Sequence, residues 1–146
     1  MQLELFKFKQ EEITELNLLA KNWNFWNCKD ILKILRQSSY YLYYIHDCTD
    51  DHWQGLIFFQ KNDSFTDLLF IYVTPSNRKK GVGESLLNSL MDLLKKDPMQ
   101  KNLFLEVRLS NKAAQALYEK IGMKKNRIKK SYYSNQEDAI IYQKNL

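Results

Sequence analysis

The stretch that decides the fold runs from residue 68 to residue 94 and reads LLFIYVTPSNRKKGVGESLLNSLMDLL. Its near-continuous apolar opening, residues 68–73, is typical of a strand buried on both faces. Pro75 removes a backbone donor and ends that strand. After a turn rich in glycine and basic residues, apolar side chains recur at helical spacing up to Leu94, which predicts an amphipathic helix. The stretch is therefore a strand–turn–helix unit.

The same patterns extend outward in both directions. Alternating apolar residues and turn signals predict strands at residues 3–8, 40–45, 54–60, 103–108, 123–133 and 139–143, and helices at residues 11–23, 29–37 and 111–121. Because the central strand–helix–strand unit requires a parallel crossover, the rest of the sheet is expected to be antiparallel. We predict one α/β (α+β) domain over residues 1–146. Its mixed, mostly antiparallel sheet has six to seven strands and about four flanking helices.

Composition narrows the possible classes of protein. The chain has 146 residues, of which 45% are hydrophobic and 14% aromatic, so it can build a core and is not expected to be disordered. No run is apolar enough to span a bilayer, and the first residues, Met1-Gln2-Leu3-Glu4, are unlike a signal peptide. We therefore expect a cytoplasmic protein.

Cysteine and histidine offer little chemistry. Cys28 and Cys48 are too few for a disulfide scaffold and lack metal-ligand spacing. His46 and His52 flank the acidic segment 47–51, but a solvated hairpin loop explains them better than a metal site. We expect no metal.

The net charge of +5 is partly concentrated late in the chain. The basic residues there are Lys120, Lys124, Lys125, Arg127, Lys129 and Lys130. Such a cluster can face water, bind a small polyanionic cofactor or bind nucleic acid, and composition alone favours the solvated face.

The turn between the decisive strand and its helix has the features of a phosphate site. Arg78-x-x-Gly81-x-Gly83 lies where the helix begins, and the first helical turn leaves N–H groups free at the positive end of the helix dipole. Glycine lets a pyrophosphate approach the backbone, and Arg78, Lys79 and Lys80 add positive charge. A P-loop would need Gly-Lys-Ser/Thr here, and a Rossmann motif would need a small residue where Leu86 stands.

These residues resemble the GNAT acetyltransferases, whose acetyl-CoA motif is Arg/Gln-x-x-Gly-x-Gly/Ala after a strand. The resemblance to the RimI branch continues through LFLEVR at 103–108, through Ser110-Asn111-x-Ala113-Ala114-x-Ala116-Leu117-Tyr118-Glu119-x-x-Gly122-Met123, and through Tyr132-Tyr133 and EDAII at 137–141. It covers about residues 68–142, roughly half of the chain.

The resemblance implies a set of site residues. Glu106 would be the general base, through a water molecule, and Tyr118 the general acid that protonates the departing sulfur. The backbone N–H of Val73 would stabilise the oxyanion. Acetyl-CoA, the acetyl donor, would contact Ile71, Val73, Arg78, Lys79, Lys80, Gly81, Val82, Gly83, Glu84 and Asn111.

Each of these roles has a structural alternative. A carboxylate in mid-strand between apolar neighbours is costly without a task or a partner, so Glu106 is expected either to act in catalysis or to pair with Arg108 on the same strand face. Tyr118 can equally be a core tyrosine, and Asn111 can equally be a helix cap.

The acceptor implied by the resemblance is a protein N-terminal α-amine, specifically the N-terminal alanine of a ribosomal protein. An α-amine has a pKa of roughly 8 against about 10.4 for lysine, so one carboxylate prepares it more easily near neutral pH. The chain departs from the RimI pattern at Phe25-Trp26-Asn27 and at residues 70–73, on the acceptor side. A small amine or lysine therefore remains an alternative acceptor, and a non-catalytic module that binds RNA or a ribosome is the alternative from another class.

Overall fold

The computed structural model describes residues 4–21, 23, 26–47, 49 and 51–146. Seven strands and four α-helices follow one another in these residues, in the predicted order. The strands are β1 (Leu5–Lys7), β2 (Tyr40–His46), β3 (Trp53–Lys61), β4 (Phe65–Val73), β5 (Asn102–Arg108), β6 (Lys124–Lys129) and β7 (Ala139–Asn145). The helices are α1 (Ile13–Ala20), α2 (Cys28–Leu35), α3 (Val82–Lys95) and α4 (Lys112–Lys120).

One sheet contains all seven strands in the order β1-β2-β3-β4-β5-β7-β6. Every neighbouring pair is antiparallel except β4 and β5, which are joined through α3. A chain that leaves one strand and returns parallel to it needs such a helical crossover. The predicted mixed, mostly antiparallel sheet is confirmed.

The sheet divides in its middle. The parallel pairing runs from Phe65 opposite Asn102 to Leu68 opposite Leu105. Beyond that point β4 stays paired with β3 up to Val73, while β5 stays paired with β7 up to Arg108. A bulge at Leu69, where the register with β3 shifts, bends β4 at the same place. The two halves of the sheet therefore separate into a V.

A hydrophobic core lies on each face of the sheet. Helices α3 and α4 cover one face, against Leu103, Leu105 and Val107, and helices α1 and α2 cover the other. The stripe predicted on α3 is buried as expected, at Val82, Leu86, Leu87, Leu90, Met91 and Leu94. Burying each such leucine or valine contributes about 1.5–3 kcal/mol. None of the described helices is long and apolar enough to cross a bilayer.

Four sequence predictions needed correction. The first helix begins as a 3₁₀ turn, Gln10–Glu12, and ends at Ala20, so Trp23 lies beyond it and packs on Phe70 with ring centroids 5.0 Å apart. The second helix begins at Cys28, where Asn27 caps it by accepting from the Asp30 N–H. Strand β6 stops at Lys129 instead of reaching residue 133. Strand β4 is not buried on both faces, because the bulge turns Leu69 outward to 37% exposure.

Candidate active site

A cleft of about 970 Å³ opens where β4 and β5 separate. It lies on the face of the sheet that α1 and α2 cover, and its wall includes Trp26, which packs edge-on against Phe58 at 5.6 Å. Its polar lining includes Asp67 from β4 and Glu106 from β5. Tyr132 and Tyr133, from the connection between β6 and β7, close the opposite side. The cleft therefore exposes the carboxylate of Glu106, one of the two predicted catalytic residues, to solvent.

Glu106 is the first residue of β5 beyond the paired segment. Its carboxylate accepts a 2.5 Å hydrogen bond from Lys129 Nζ, and its side chain retains 31% exposure. The Tyr132 hydroxyl donates to the same carboxylate, and this bond is the main reason why the pKa of Tyr132 rises to about 12. Glu106 therefore has two bonded partners, and the separation of the strands leaves this face of β5 partly exposed.

Arg108, the partner considered for Glu106 as an alternative to catalysis, does not pair with it. Arg108 pairs instead with Glu137 at 3.1 Å and lies 3.8 Å from the ring centroid of Tyr133. Glu137 accepts the Ser110 N–H at 2.8 Å as well, and these bonds hold its pKa below the ordinary value. Arg108 and Glu137 thus fix the β6–β7 connection against the end of β5, which positions Tyr133 beside the cleft.

Tyr118 lies on the other face of the sheet. Its side chain is only 5% exposed, in the core beneath α3 and α4, and its ring centroid is 5.7 Å from that of Tyr142. Burial, and secondarily the charge of Tyr133, raises the pKa of Tyr118 to about 12. The core location considered as an alternative is therefore observed.

The glycine turn has the conformation of an anion site. Gly81 has φ 83° and caps α3, and Lys79 before it has φ 59°. The N–H groups of Val82, Gly83 and Glu84 belong to the first turn and have no intrahelical partner. Arg78 is held to the end of β4, since its Nε donates to the Val73 carbonyl at 3.0 Å. The residues present fit a pyrophosphate at this helix end.

The two glycines serve different purposes. At Gly81 an added Cβ would meet no atom within 4 Å, so its left-handed backbone is what requires glycine. At Gly83 an added Cβ would lie 3.2 Å from Leu117 Cδ2 and 3.7 Å from Val73 Cγ2. Gly83 therefore allows α3 to pack closely against α4 and β4, a role that the sequence interpretation missed. Glu84 pairs with Lys120 at 2.5 Å.

The other residues predicted to contact the cofactor lie on elements next to the gap between β4 and β5. Ile71 and Val73 lie on the segment of β4 that is paired with β3 but no longer with β5, and they pack against the α3–α4 core. The Asn111 side chain accepts the Ala114 N–H at 3.1 Å, so the helix cap considered as its alternative role is observed. Helix α4 ends at Lys120, and Gly122 just beyond it has φ 84°. All of these residues therefore lie on the elements that border the opening between β4 and β5.

Lys129 and Asp67 line the cleft but were not predicted as site residues. Lys129 was assigned to the basic cluster. The β6–β7 hairpin places it opposite Ala139, which in turn lies opposite Arg108 on β5. Lys129 thus lies level with Arg108 rather than with Glu106, and its side chain reaches Glu106 across β7, so the sequence carried no signal for this pair. Asp67 carried no signal, because nothing in the sequence shows which face of β4 opens into a cleft.

Most of the basic cluster is engaged in ion pairs within the protein. Lys120 pairs with Glu84, Lys125 with Glu119, Lys129 with Glu106 and Lys130 with Asp138. The neighbouring tyrosines are also in contact with protein groups, since Lys129 Nζ lies 4.9 Å from the Tyr132 ring centroid. This arrangement favours the solvated-face interpretation of the cluster over a stacking surface for nucleic acid.

A metal centre has no support in the described part of the chain. No group of three histidine, cysteine or acidic side chains there could hold an ion. Cys48 and Asp50, which belong to the loop between His46 and His52, lie outside the described residues.

A mixed sheet that separates after one parallel pair, with a helix N-terminus suited to an anion beside the gap, has the fold expected from the resemblance, that of the coenzyme A-dependent acyltransferases. The model of the acetyltransferase (GNAT) family matches residues 4–123, and the chain belongs to that family.

Two curated relatives match half of the chain. An N-alpha-acetyltransferase of Saccharolobus solfataricus is 42% identical over 71 residues, which are 49% of this chain and 42% of the relative. The [ribosomal protein bS18]-alanine N-acetyltransferase of Escherichia coli K12 is 44% identical over 77 residues, 51% of each chain. The chain thus spans about half the length of the curated relatives it matches.

A solved structure extends the similarity to the whole fold. The crystal structure of the ribosomal-protein-S18-alanine N-acetyltransferase from Escherichia coli superposes with a TM-score of 0.85 at 26% identity. The superposition covers 98% of this chain and 93% of that chain. The fold and the RimI-type resemblance predicted from the sequence are both confirmed.

Proposed function

We propose that this protein transfers the acetyl group of acetyl-CoA to a protein N-terminal α-amine, with the N-terminal alanine of a ribosomal protein as the acceptor. The observation that carries the proposal is the position of Glu106, at the point where β4 and β5 separate, facing the cleft. The names of the relatives support the acceptor, because they describe N-terminal and ribosomal-protein alanine acetylation.

The donor would bind along the opening between the strands. Gly81 and the free N–H groups of the first turn of α3 would hold its pyrophosphate, with Arg78, Lys79 and Lys80 nearby. Ile71 and Val73 would contact its pantetheine arm, and Asn111 would contact it from the start of α4. Bound acetyl-CoA supplies an activated thioester whose sulfur can leave.

Glu106 would take the proton from the acceptor amine through a water molecule. It faces the cleft, so an amine that enters from that side reaches it first. The Val73 N–H would donate to the developing oxyanion, an interaction worth roughly 3–4 kcal/mol in other enzymes. Tyr118 would donate its proton to the sulfur from the opposite face of the sheet. The gap between the strands is what allows groups on two faces to act on one reacting centre.

A second candidate acceptor is a small amine such as a polyamine. The observation that favours it is the presence of two carboxylates, Asp67 and Glu106, in a single cleft. A lysine side chain is the remaining acceptor within this mechanism. A non-catalytic role in binding RNA is the weakest alternative, because four of the six basic residues in the late cluster already have acidic partners.

A panel of acceptors tests the proposal, with transfer followed by release of the coenzyme A thiol. The panel contains a peptide with a free N-terminal alanine, the same peptide with its α-amine blocked, and spermidine. We expect transfer to the free peptide only. Transfer to spermidine alone would retain the fold and overturn the acceptor, and absence of both transfer and acetyl-CoA binding would overturn the proposed function altogether.

A further inference from the structure

The floor of the cleft carries a second carboxylate, at Asp67. It lies on β4 directly opposite Phe104 of β5, two residues before Glu106 on the neighbouring strand. At a rise of about 3.3 Å per residue and a strand spacing of about 4.8 Å, the two backbones are roughly 8 Å apart. Both side chains line the cleft.

Asp67 has a neutral partner only. Its Oδ2 accepts a 3.1 Å hydrogen bond from Asn62 Nδ2, and no ion pair reaches it from the described residues. Partial burial raises its pKa, and the Glu106 charge acts in the same direction, while Asn62 and the more distant charge of Lys129 oppose the shift. A half-buried carboxylate without a cation is costly, and a bound cation would lower that cost.

The nearby basic residues do not supply that cation. Lys129 Nζ lies 2.5 Å from Glu106 and is bound there. Arg127 also lines the cleft, but it lies on β6, and the strand order places β5 and β7 between it and β4. Three strand spacings separate the backbones of Arg127 and Asp67 by about 14 Å, and their side chains do not form an ion pair across that distance.

The shape of the cleft indicates where such a cation would come from. From Glu106 the cleft continues along the paired part of β4 and β5, over Phe104 and Asp67, to Phe65. Phe65 and Phe104 pack edge to face with centroids 5.7 Å apart and form an apolar floor on either side of Asp67. An acceptor whose reacting amine lies at Glu106 would continue along this floor. The part of a peptide acceptor that passes over Asp67 would then be one or two residues away from the reacting amine.

We propose that Asp67 is a specificity-determining residue that selects acceptors carrying a second positive charge one or two residues from the reacting amine. This inference rests on the proposed function, because it assumes that the acceptor occupies this cleft. The second charge can belong to an arginine or lysine side chain of a peptide, or to the second ammonium of a small polyamine. The shared chemistry is a cation at a fixed distance from the amine.

The test compares matched acceptors with wild-type protein and the Asp67→Asn variant. Peptides that begin with alanine carry arginine, glutamine or glutamate at the second and third positions, and 1,5-diaminopentane is paired with n-pentylamine. In wild-type protein we expect kcat/KM to be roughly tenfold higher for the arginine peptide than for the glutamine peptide, as expected of one charged hydrogen-bonded contact. Asp67→Asn should remove that preference, so that the arginine and glutamine peptides react with similar kcat/KM.

Two controls separate the possible failures. Asp63→Asn removes the same charge from an exposed position outside the cleft lining and should keep the preference, and equal thermal midpoints would show that both variants fold. Equal wild-type rates on all three peptides, or an equal loss on all three in Asp67→Asn, would overturn the inference while leaving the proposed function intact. Transfer to amines alone would overturn the peptide acceptor, and the inference would then stand if the diamine preference disappears in Asp67→Asn.

Discussion

At the scale of single residues, the proposed mechanism depends on two groups that lie on opposite faces of the sheet. Glu106 lies where β4 and β5 separate, whereas Tyr118 is buried in the core beneath α3 and α4. Resemblance pointed to both residues, but alternation along β5 shows only which side chains share a face and not that β4 leaves that face exposed. The contacts of Glu106 with Lys129 and Tyr132 depend on a hairpin register that only the folded chain fixes.

Tyr118→Phe tests the proposed general acid. Removing the hydroxyl should lower kcat by about 100-fold, which is the lower range for general acid–base catalysis, and should change KM for acetyl-CoA little. The ring that packs against Tyr142 is retained, so the thermal midpoint should change little. Steady-state kinetics and thermal unfolding measure both quantities. An unchanged kcat would assign Tyr118 to the core alone.

At the scale of elements, the central unit of strand, turn and helix was the most predictable part of the molecule. The apolar stripe of α3 was predicted correctly and the cap at Asn111 was anticipated, because each depends on local spacing along the chain. The bulge at Leu69 was not predictable, because it depends on pairing with β3. The closeness of Gly83 to Leu117 likewise requires knowing where α4 packs.

At the scale of the whole molecule, tyrosine titration should govern stability in alkali. The pKa values of Tyr118, Tyr132 and Tyr142 are each raised to about 12, chiefly by burial at Tyr118 and Tyr142 and by the bond to Glu106 at Tyr132. In the unfolded chain a tyrosine titrates near pH ~10. Between these values the folded state holds more protons than the unfolded chain, so stability must fall as pH rises.

We therefore expect the free energy of unfolding to decrease from about pH 10 towards pH 12 as these three groups titrate. Below about pH 10 they are protonated in both the folded and the unfolded state, so they do not make stability depend on pH. Urea unfolding at a series of pH values measures it, and the ultraviolet difference absorbance of phenolate follows the titration directly. Tyr118→Phe is the matched control and should weaken the pH dependence. If phenolate formation were complete near pH ~10 in the folded protein, the pKa values of these three tyrosines would not be raised.

The gap between β4 and β5 connects the two faces of the sheet. The strand end and glycine turn proposed to hold the donor were predictable because they lie in contiguous sequence, from Ile71 to Glu84. The cleft was not, because it joins side chains from β4, β5 and the β6–β7 connection that are far apart in the chain. In the proposed mechanism Glu106, at the division of the sheet, prepares an α-amine for acetylation.

The role of Glu106 is tested most directly with one substrate and one variant. The substrate is a peptide with a free N-terminal alanine and an internal lysine, and the enzymes are wild-type protein and Glu106→Gln, with acetyl-CoA as donor. Mass spectrometry locates the acetyl group, and thiol release gives kcat. We predict acetyl on the α-amine alone and a fall in kcat of about 10²–10⁴-fold in the variant. Acetyl on the lysine, or an unchanged kcat in Glu106→Gln, would contradict the proposed role of Glu106.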